Sequence, residues 1–418
     1  MMPTEMYLAK ASDENIREKG EYGGAVTSLL RYLLENGIVG AVLTIKARKG
    51  NRYDGVPTLI NNPNDLMDTA GSLHCTTPNI ARFAREYLEE IPEEKIAVVC
   101  KPCDARATIE LAKREQLNRD DLTLIGLNCT GTISPVTAKK MMKEEFDVEP
   151  LEVIKEDIDE GYFTITLKDG STKTKKLKEI EENGYGRREN CRRCSVNIPR
   201  MADIACGKWG VEEDEDMTFI EICSDKGSSL VENAIEAGCI QVQKPSAKNI
   251  RTREEKNNAE IERATEQRRL DFEQIDNLDN RERLKYWMQE FNNCIKCYGC
   301  RDACPLCYCE ECILEPDREF IEIGEIPPET LFPLTRLSHV ADSCVNCGQC
   351  EEACPMDLPL SKLFLLLNDR LSKMFDYIPG EDMDDRPPLV SFYEKELNIE
   401  DTILDISSLS IEEPRENK

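Results

Sequence analysis

The sequence predicts an α+β protein, in which a mixed α/β domain is followed by a small cysteine-rich module. Three observations predict it. Over the first half of the chain, short apolar runs alternate with amphipathic helical segments, the pattern of a layered α/β sheet. A hairpin signature breaks that alternation between 162 and 177. Toward the carboxy terminus one spacing occurs twice, as Cys294-x2-Cys297-x2-Cys300-x3-Cys304-Pro305 and Cys344-x2-Cys347-x2-Cys350-x3-Cys354-Pro355.

The elements follow in order. Gly23 to Gly37, GGAVTSLLRYLLENG, reads as a helix with one apolar face and a closing glycine. Ile38 to Ile45 reads as a buried strand. Thr77-Pro78 opens a helix through Arg82 to Leu88, with proline at an early position. Lys95 to Cys100 is a strand, and Pro102 starts the next helix. Leu122 to Leu127 is a strand ending at Asn128-Cys129, and Ser134-Pro135 starts another helix. Tyr162 to Leu167, the turn Asp169-Gly170 and Ser171 to Leu177 form the hairpin. Phe219 to Cys223 and Cys239 to Val242 are short strands separated by a helix near Ser228 to Glu236.

These elements make one catalytic domain over 1–245. Residues 246–290, dense in Arg, Glu, Asn and Gln, read as a charged, solvated helical linker; the other reading is a helix docked on a partner. The cysteine module spans 291–365, interrupted by a Pro- and Glu-rich insert near 315–338. Residues 366–418 form an acidic tail, whose Leu389, Val390 and Phe392 are placed to cover a core.

Bulk properties narrow the function. The chain has 418 residues and a formal charge of -27. That charge argues against general nucleic-acid binding, which neutralises phosphates with basic surface. No run of 18 apolar residues is present, so no transmembrane segment is expected. The start, MMPTEMYLAKASDENIREKG, lacks the apolar core of a signal peptide. The chain has twenty cysteines, and its Cys-x2-Cys runs read as metal sites of a reducing, cytoplasmic setting rather than as disulfides. Histidine occurs only at His74 and His339. Chemistry built on several imidazoles is therefore excluded, and a cofactor must carry it.

The repeated spacing is that of paired [4Fe-4S] clusters, in which the fourth cysteine of each run serves the other cluster. One cluster is expected on Cys294, Cys297, Cys300 and Cys354, and the other on Cys344, Cys347, Cys350 and Cys304. Paired zinc sites also use Cys-x2-Cys. Three cysteines at two-residue gaps and a fourth before proline, twice over, favour iron and sulfide. Cys307, Cys309 and Cys312 have no place in this scheme.

A third cluster is expected in the α/β domain. Cys191-x2-Cys194 follows Gly184-Tyr-Gly186-Arg-Arg and supplies two ligands. Cys103 and Cys129 sit just past strand ends, where ligands of α/β sheets gather, and complete the set; Cys206, Cys100 and Cys75 are the reserve choices. Cys223 and Cys239 read as core thiols. Gly23-Gly24 and Gly71-Ser72 serve either as a helix start and a turn, or as places where a phosphate or ring edge approaches backbone N–H groups.

Taken together, GEYGGAVTSLLRYLLENGIVGAVL, TAGSLHC, VVCKPCDARA, LIGLNCTG and ENCRRCSVNIPRMADIACGKWG resemble the beta-subunit family of coenzyme F420-reducing hydrogenases and formate dehydrogenases. The two-cluster extension resembles the formate dehydrogenase branch of methanogenic archaea. The resemblance implies a bound FAD near the inner cluster, with F420 docking over the flavin. Gly23, Gly24, Thr27 and Ser28 match the flavin-loop region, and Ser72 falls in the Gly-Ser segment, where Leu73 and His74 depart from the common pattern. Lys101, Pro102, Cys103 and Asp104 match the Pro-Cys segment. Cys129, Cys191 and Cys194 match the cluster cysteines, and Cys206 is additional. By charge, Lys101, Arg187 and Arg188 are candidates for the F420 tail or the FAD diphosphate.

The implied function is electron transfer from formate oxidised in a partner Mo- or W-pterin alpha subunit, through about three [4Fe-4S] clusters and FAD, to F420, reversibly. A heterodisulfide reductase or hydrogenase assembly is a further expected partner. An F420H2 dehydrogenase input subunit, an F420-reducing hydrogenase beta subunit and a non-catalytic ferredoxin-like adapter are the alternatives.

Overall fold

The computed structural model describes residues 5–212, 214–315 and 331–390, without the side chains of Leu331 and Val390. Most of the insert and the end of the tail, Phe392 included, lie outside the described residues.

Eleven strands are described: β1 Met6–Ala11, β2 Ala41–Ala47, β3 Gly55–Ile60, β4 Ile96–Cys100, β5 Leu122–Leu127, β6 Val153–Asp159, β7 Tyr162–Leu167, β8 Thr172–Lys176, β9 Ile204–Gly207, β10 Thr218–Ile222 and β11 Ile240–Gln243. Eight form one mixed sheet in the order β11-β1-β10-β9-β5-β4-β2-β3. Its centre, β2-β4-β5-β9, is parallel. Both flanks are antiparallel, β10, β1 and β11 on one side and β3 on the other. A mixed sheet is what alternating apolar runs and helices predict, and the central strands are apolar on both faces because helices cover both.

The second sheet, β6-β7-β8, contains the expected hairpin, with Phe163 and Ile165 fully buried beneath it. Sequence reading passes over β6, where VIKEDID alternates apolar and acidic residues. It also passes over β1, β3 and the four-residue β9, which are too short or too mixed to stand out.

Two helices start or behave differently from expectation. The helix expected at Thr77-Pro78 begins at Ala81. Residues 77–79 stay outside the helix, where their carbonyls serve other contacts: Lys101 Nζ donates to the Pro78 carbonyl at 2.8 Å and Gln349 to that of Thr77 at 2.6 Å. The expected linker is the helix Ala247–Asp276, followed by Asn280–Phe291. It is packed against the chain's own α/β layer rather than solvated. Arg253 is fully buried, 3.2 Å from Glu221 and stacked on Phe219. Asn249, Asn257 and Glu260 are buried on the same helix. The buried stripe is polar, so hydropathy reads it as a wet surface.

The cysteine module closes against the α/β domain. Asn190 Nδ2 donates to the Asn346 carbonyl at 3.0 Å, and Asn346 Nδ2 returns the bond to Asn190 at 2.9 Å. Arg193 reaches Ser361 Oγ at 2.9 Å. The helix Leu360–Phe375 runs past the expected module boundary. Tyr377 beyond it is buried, with its hydroxyl 2.5 Å from Glu110. The first part of the expected tail is thus docked, whereas Leu389 is exposed.

Candidate electron-transfer site

Both cysteine runs fold into the same loop. The residues before and after the second cysteine take positive φ in each: Lys296 and Tyr298 in the first, Asn346 and Gly348 in the second. Such left-handed turns point successive backbone N–H groups inward, which favours an anionic occupant. The loops cross. Cys294, Cys297, Cys300 and Cys354 line one small cavity, and Cys304, Cys344, Cys347 and Cys350 line another. Proline follows the fourth cysteine in each run, and short helices, Gly299–Asp302 and Gln349–Glu352, carry the third. Among the described residues no group of three His, Cys, Asp or Glu closes on a single ion position. The thiols of each set stand around a small cavity of about 20 Å3.

Four more thiols gather at the carboxyl ends of β4 and β5. Burial, followed by the neighbouring Cys191, pushes the Cys129 thiol up to about 12, with Cys194 contributing. Burial and Asp104 push Cys103 up, and Cys129 and Cys347 are also among its charged neighbours. Thr132 N–H donates to Cys191 Sγ at 3.5 Å. The reserve thiols stand apart. Cys206 packs in the core beside Arg253 and Cys223, Cys100 donates to the Ile125 carbonyl, and Cys75 lies by Glu156. Cys103 is thus close enough to Cys129 of the inner group and to Cys347 of the second cage for both to add to its shift.

That cleft, of about 250 Å3, opens at the carboxyl ends of all four parallel strands: Thr44 and Ile45, Val99 and Cys100, Leu127, and Cys206 and Gly207 line it. This is the crevice in which open α/β sheets take ligands. Gly24, Thr27, Ser72, Lys101, Asp104 and Cys129 also line it. Gly23 and Gly24 have φ of 76° and 67°, and a Cβ would meet the Asp216 carbonyl at 2.6 Å or the Ile16 carbonyl at 2.7 Å. The pair therefore keeps the helix Ala25–Glu35 open toward the cleft. The other sequence candidates do not reach it. Ser28 Oγ turns inward to the Cys239 carbonyl, and Pro102 begins the helix behind the wall. Arg187 is held by Glu181 at 2.7 Å, and Arg188 by Thr132 at 3.1 Å among the inner thiols.

Sequence reasoning missed a polar group at the cleft. Tyr22 donates to Asp157 at 3.0 Å, and Lys208 lies 2.5 Å from Asp157 and 3.1 Å from Asp159. Burial opposes ionisation of Asp157, yet Lys208 holds its carboxyl below the usual range. Trp209 stands beside them and donates to Asp159 at 3.2 Å. The Lys-Trp pair after Gly207 was a signal; Asp157, in a charged strand, gave none. Apolar Val26, Leu30, Val99, Leu127 and Trp209 and several threonine hydroxyls line the cleft, and its two lysines are each paired with a carboxylate, Lys101 with Asp104 and Lys208 with Asp157.

Comparison with known proteins accords with this geometry. Residues 6–83 and 93–248 match the amino- and carboxy-terminal parts of the family described as coenzyme F420 hydrogenase/dehydrogenase, beta subunit. Residues 290–358 match a 4Fe-4S dicluster domain. The F420-dependent formate dehydrogenase subunit beta of Methanocaldococcus jannaschii is 49% identical over 383 residues, covering 91% of this chain and 98% of that protein. The formate dehydrogenase 1 subunit beta of Methanococcus maripaludis is 46% identical, over 93% of this chain and 98% of its own length. The coenzyme F420 hydrogenase subunit beta of Methanococcus voltae is 26% identical over 56% of this chain. A chain of the F420-reducing [NiFe] hydrogenase complex from Methanosarcina barkeri shares the fold, with a TM-score of 0.55 at 19% identity, over 63% of this chain and 90% of that one. No helix of the described residues is long and apolar enough to cross a membrane.

Proposed function

Because this chain belongs to the coenzyme F420 hydrogenase/dehydrogenase beta-subunit family, we propose that it is the F420-reducing subunit of a formate dehydrogenase. It passes electrons released by formate oxidation in a partner Mo- or W-pterin subunit to coenzyme F420, reversibly. The formate dehydrogenase relatives cover nearly the whole chain, cysteine module included, whereas the hydrogenase relative covers little more than half. The observation that carries the reading is the succession of three thiol groups leading to one cleft.

The residues divide the work as follows. The cages on Cys294, Cys297, Cys300 and Cys354 and on Cys304, Cys344, Cys347 and Cys350 hold [4Fe-4S] clusters. Cys103, Cys129, Cys191 and Cys194 hold a third. The cleft holds FAD, with F420 docking over it. When bound, iron-sulfur clusters carry single electrons and a flavin takes one or two, which is the conversion a hydride carrier requires. Gly24, Thr27 and Ser72 shape the cleft wall. Lys101 stands between cleft and inner thiols. Burial disfavours its charge, but Asp104 at 2.8 Å keeps it cationic. Val99, Leu127 and Trp209 exclude water from the floor. Tyr22 keeps its proton, through burial and the neighbouring Asp157, and offers a hydroxyl at the cleft. A heterodisulfide reductase or hydrogenase assembly is the proposed wider partner.

The test is reduction of a one-electron viologen dye by F420H2, using the anaerobically purified chain with flavin, iron and sulfide counted. Turnover with FAD and about three clusters per chain is expected. An adapter would hold iron without flavin and would not turn over.

A further inference from the structure

Arg336 occupies an unusual place. It lines both cysteine cavities at once. It is 3% exposed, on the helix Leu331–Val340, with its guanidinium over the Phe364 ring. Its Nη2 donates to Cys307 Sγ at 3.3 Å. Its Nε and Nη1 are buried and meet no acceptor at hydrogen-bond geometry among the described residues, with the Cys300 thiol facing the guanidinium. The thiols that face it are Cys307, Cys304, Cys300 and Cys350, so both cages are represented. A buried guanidinium with two unused N–H groups is costly unless an anion completes it. A cluster held by four thiolates is such an anion, and it is more negative when reduced.

We propose that Arg336 is a positioning residue, the shared cation of the two cages, which donates to the sulfur of both clusters and raises the reduction potential of each. The proposal rests on reading the cages as four-iron sites. It also accounts for Cys307, which the two-cluster spacing leaves over: Cys307 sits beside Cys304 and anchors the third edge of the guanidinium.

The next junction repeats the arrangement. Arg188 lies among Cys191, Glu352, Cys103 and Cys347, and its Nη1 is buried without a hydrogen-bond partner among the described residues. Arg188 thus faces the inner thiols and the second cage but not the first.

The experiment is an EPR-monitored redox titration of the full chain, reconstituted anaerobically with iron and sulfide, as wild type, Arg336→Gln, Arg336→Lys and Arg188→Gln. Arg336→Gln is expected to disfavour reduction of both module clusters at least tenfold, equivalent to ~59 mV for one electron, with iron retained. Arg336→Lys keeps the charge and stays within about threefold of wild type, or ~28 mV by the same conversion. Arg188→Gln shifts the second module cluster and the inner cluster and leaves the first in place. Unmoved midpoints in Arg336→Gln with full iron overturn the proposal. If Arg336→Gln loses its iron, Arg336→Lys decides: iron and near-native midpoints support the proposal, and midpoints lowered tenfold or more overturn it. A wild-type chain without iron instead overturns the cluster reading itself.

Discussion

The two cysteine cages share one backbone and differ in what surrounds them. In the first, Cys297 is exposed, and Ile295 and Met356 beside it are each 42% exposed. In the second, Val345, Asn346 and Ser361 are buried, and the Asn190–Asn346 amide pair clamps the loop to the α/β domain. Identical spacing therefore specifies a ligand set, and the packing around it specifies a role. The exposed cage suits exchange with a partner. The clamped cage suits relay inward, because Cys347 stands close enough to Cys103 to add to the shift of its thiol.

Breaking the inward relay has the largest expected effect. Cys129→Ala removes the inner ligand that links cleft and cages. It is expected to bring F420H2-dependent dye reduction to background and to lower iron content by about a third, while both module EPR signals persist. A variant that turns over normally would disconnect the cages from the cleft. Gly24→Ala tests the cleft. Its positive φ and the Ile16 carbonyl 2.7 Å from a Cβ force a shift of the loop. Flavin retention, read by absorbance after gel filtration, should weaken roughly tenfold, or ~1.4 kcal/mol, with iron unchanged.

Smaller effects sharpen the contrast between the cages. Asn190→Ala leaves the buried Asn346 carbonyl without its donor, while Asn346 Nδ2 keeps the main-chain carbonyl at 190. It should cost about 1–3 kcal/mol of stability, read as a lowered unfolding midpoint, and should broaden the second module signal alone. The smallest effect is kinetic. Under a mild iron chelator, the first cage should lose its EPR signal before the second, because its Cys297 reaches solvent. Equal rates would show that exposure does not separate them.

How much of this is legible in the sequence depends on how far apart the contributing residues lie. The module cages rest on spacings of a few residues, so the cysteine pattern itself announces them. The inner group joins Cys103, Cys129 and the Cys191-x2-Cys194 pair from three separate segments of the chain. Only strand-end logic and family resemblance suggest it. The cleft is harder still, because Asp157 and Lys208 come from different elements and neither type of residue is rare. The long helix was misjudged for a different reason: Asn249, Arg253 and Glu260 are buried through hydrogen bonds and an ion pair, which hydropathy cannot register. Arg187 and Arg188 show the converse error, since charge alone suggested a phosphate site where one is held by Glu181 and the other lies among thiols.

The most direct test mixes the anaerobic chain with F420H2 and freezes it at successive times for EPR and visible absorption. The account predicts bleaching of a flavin band together with reduced [4Fe-4S] signals from the inner and module sites. Zinc in place of iron, or a chain whose absorption and EPR spectra do not respond to F420H2, would contradict it.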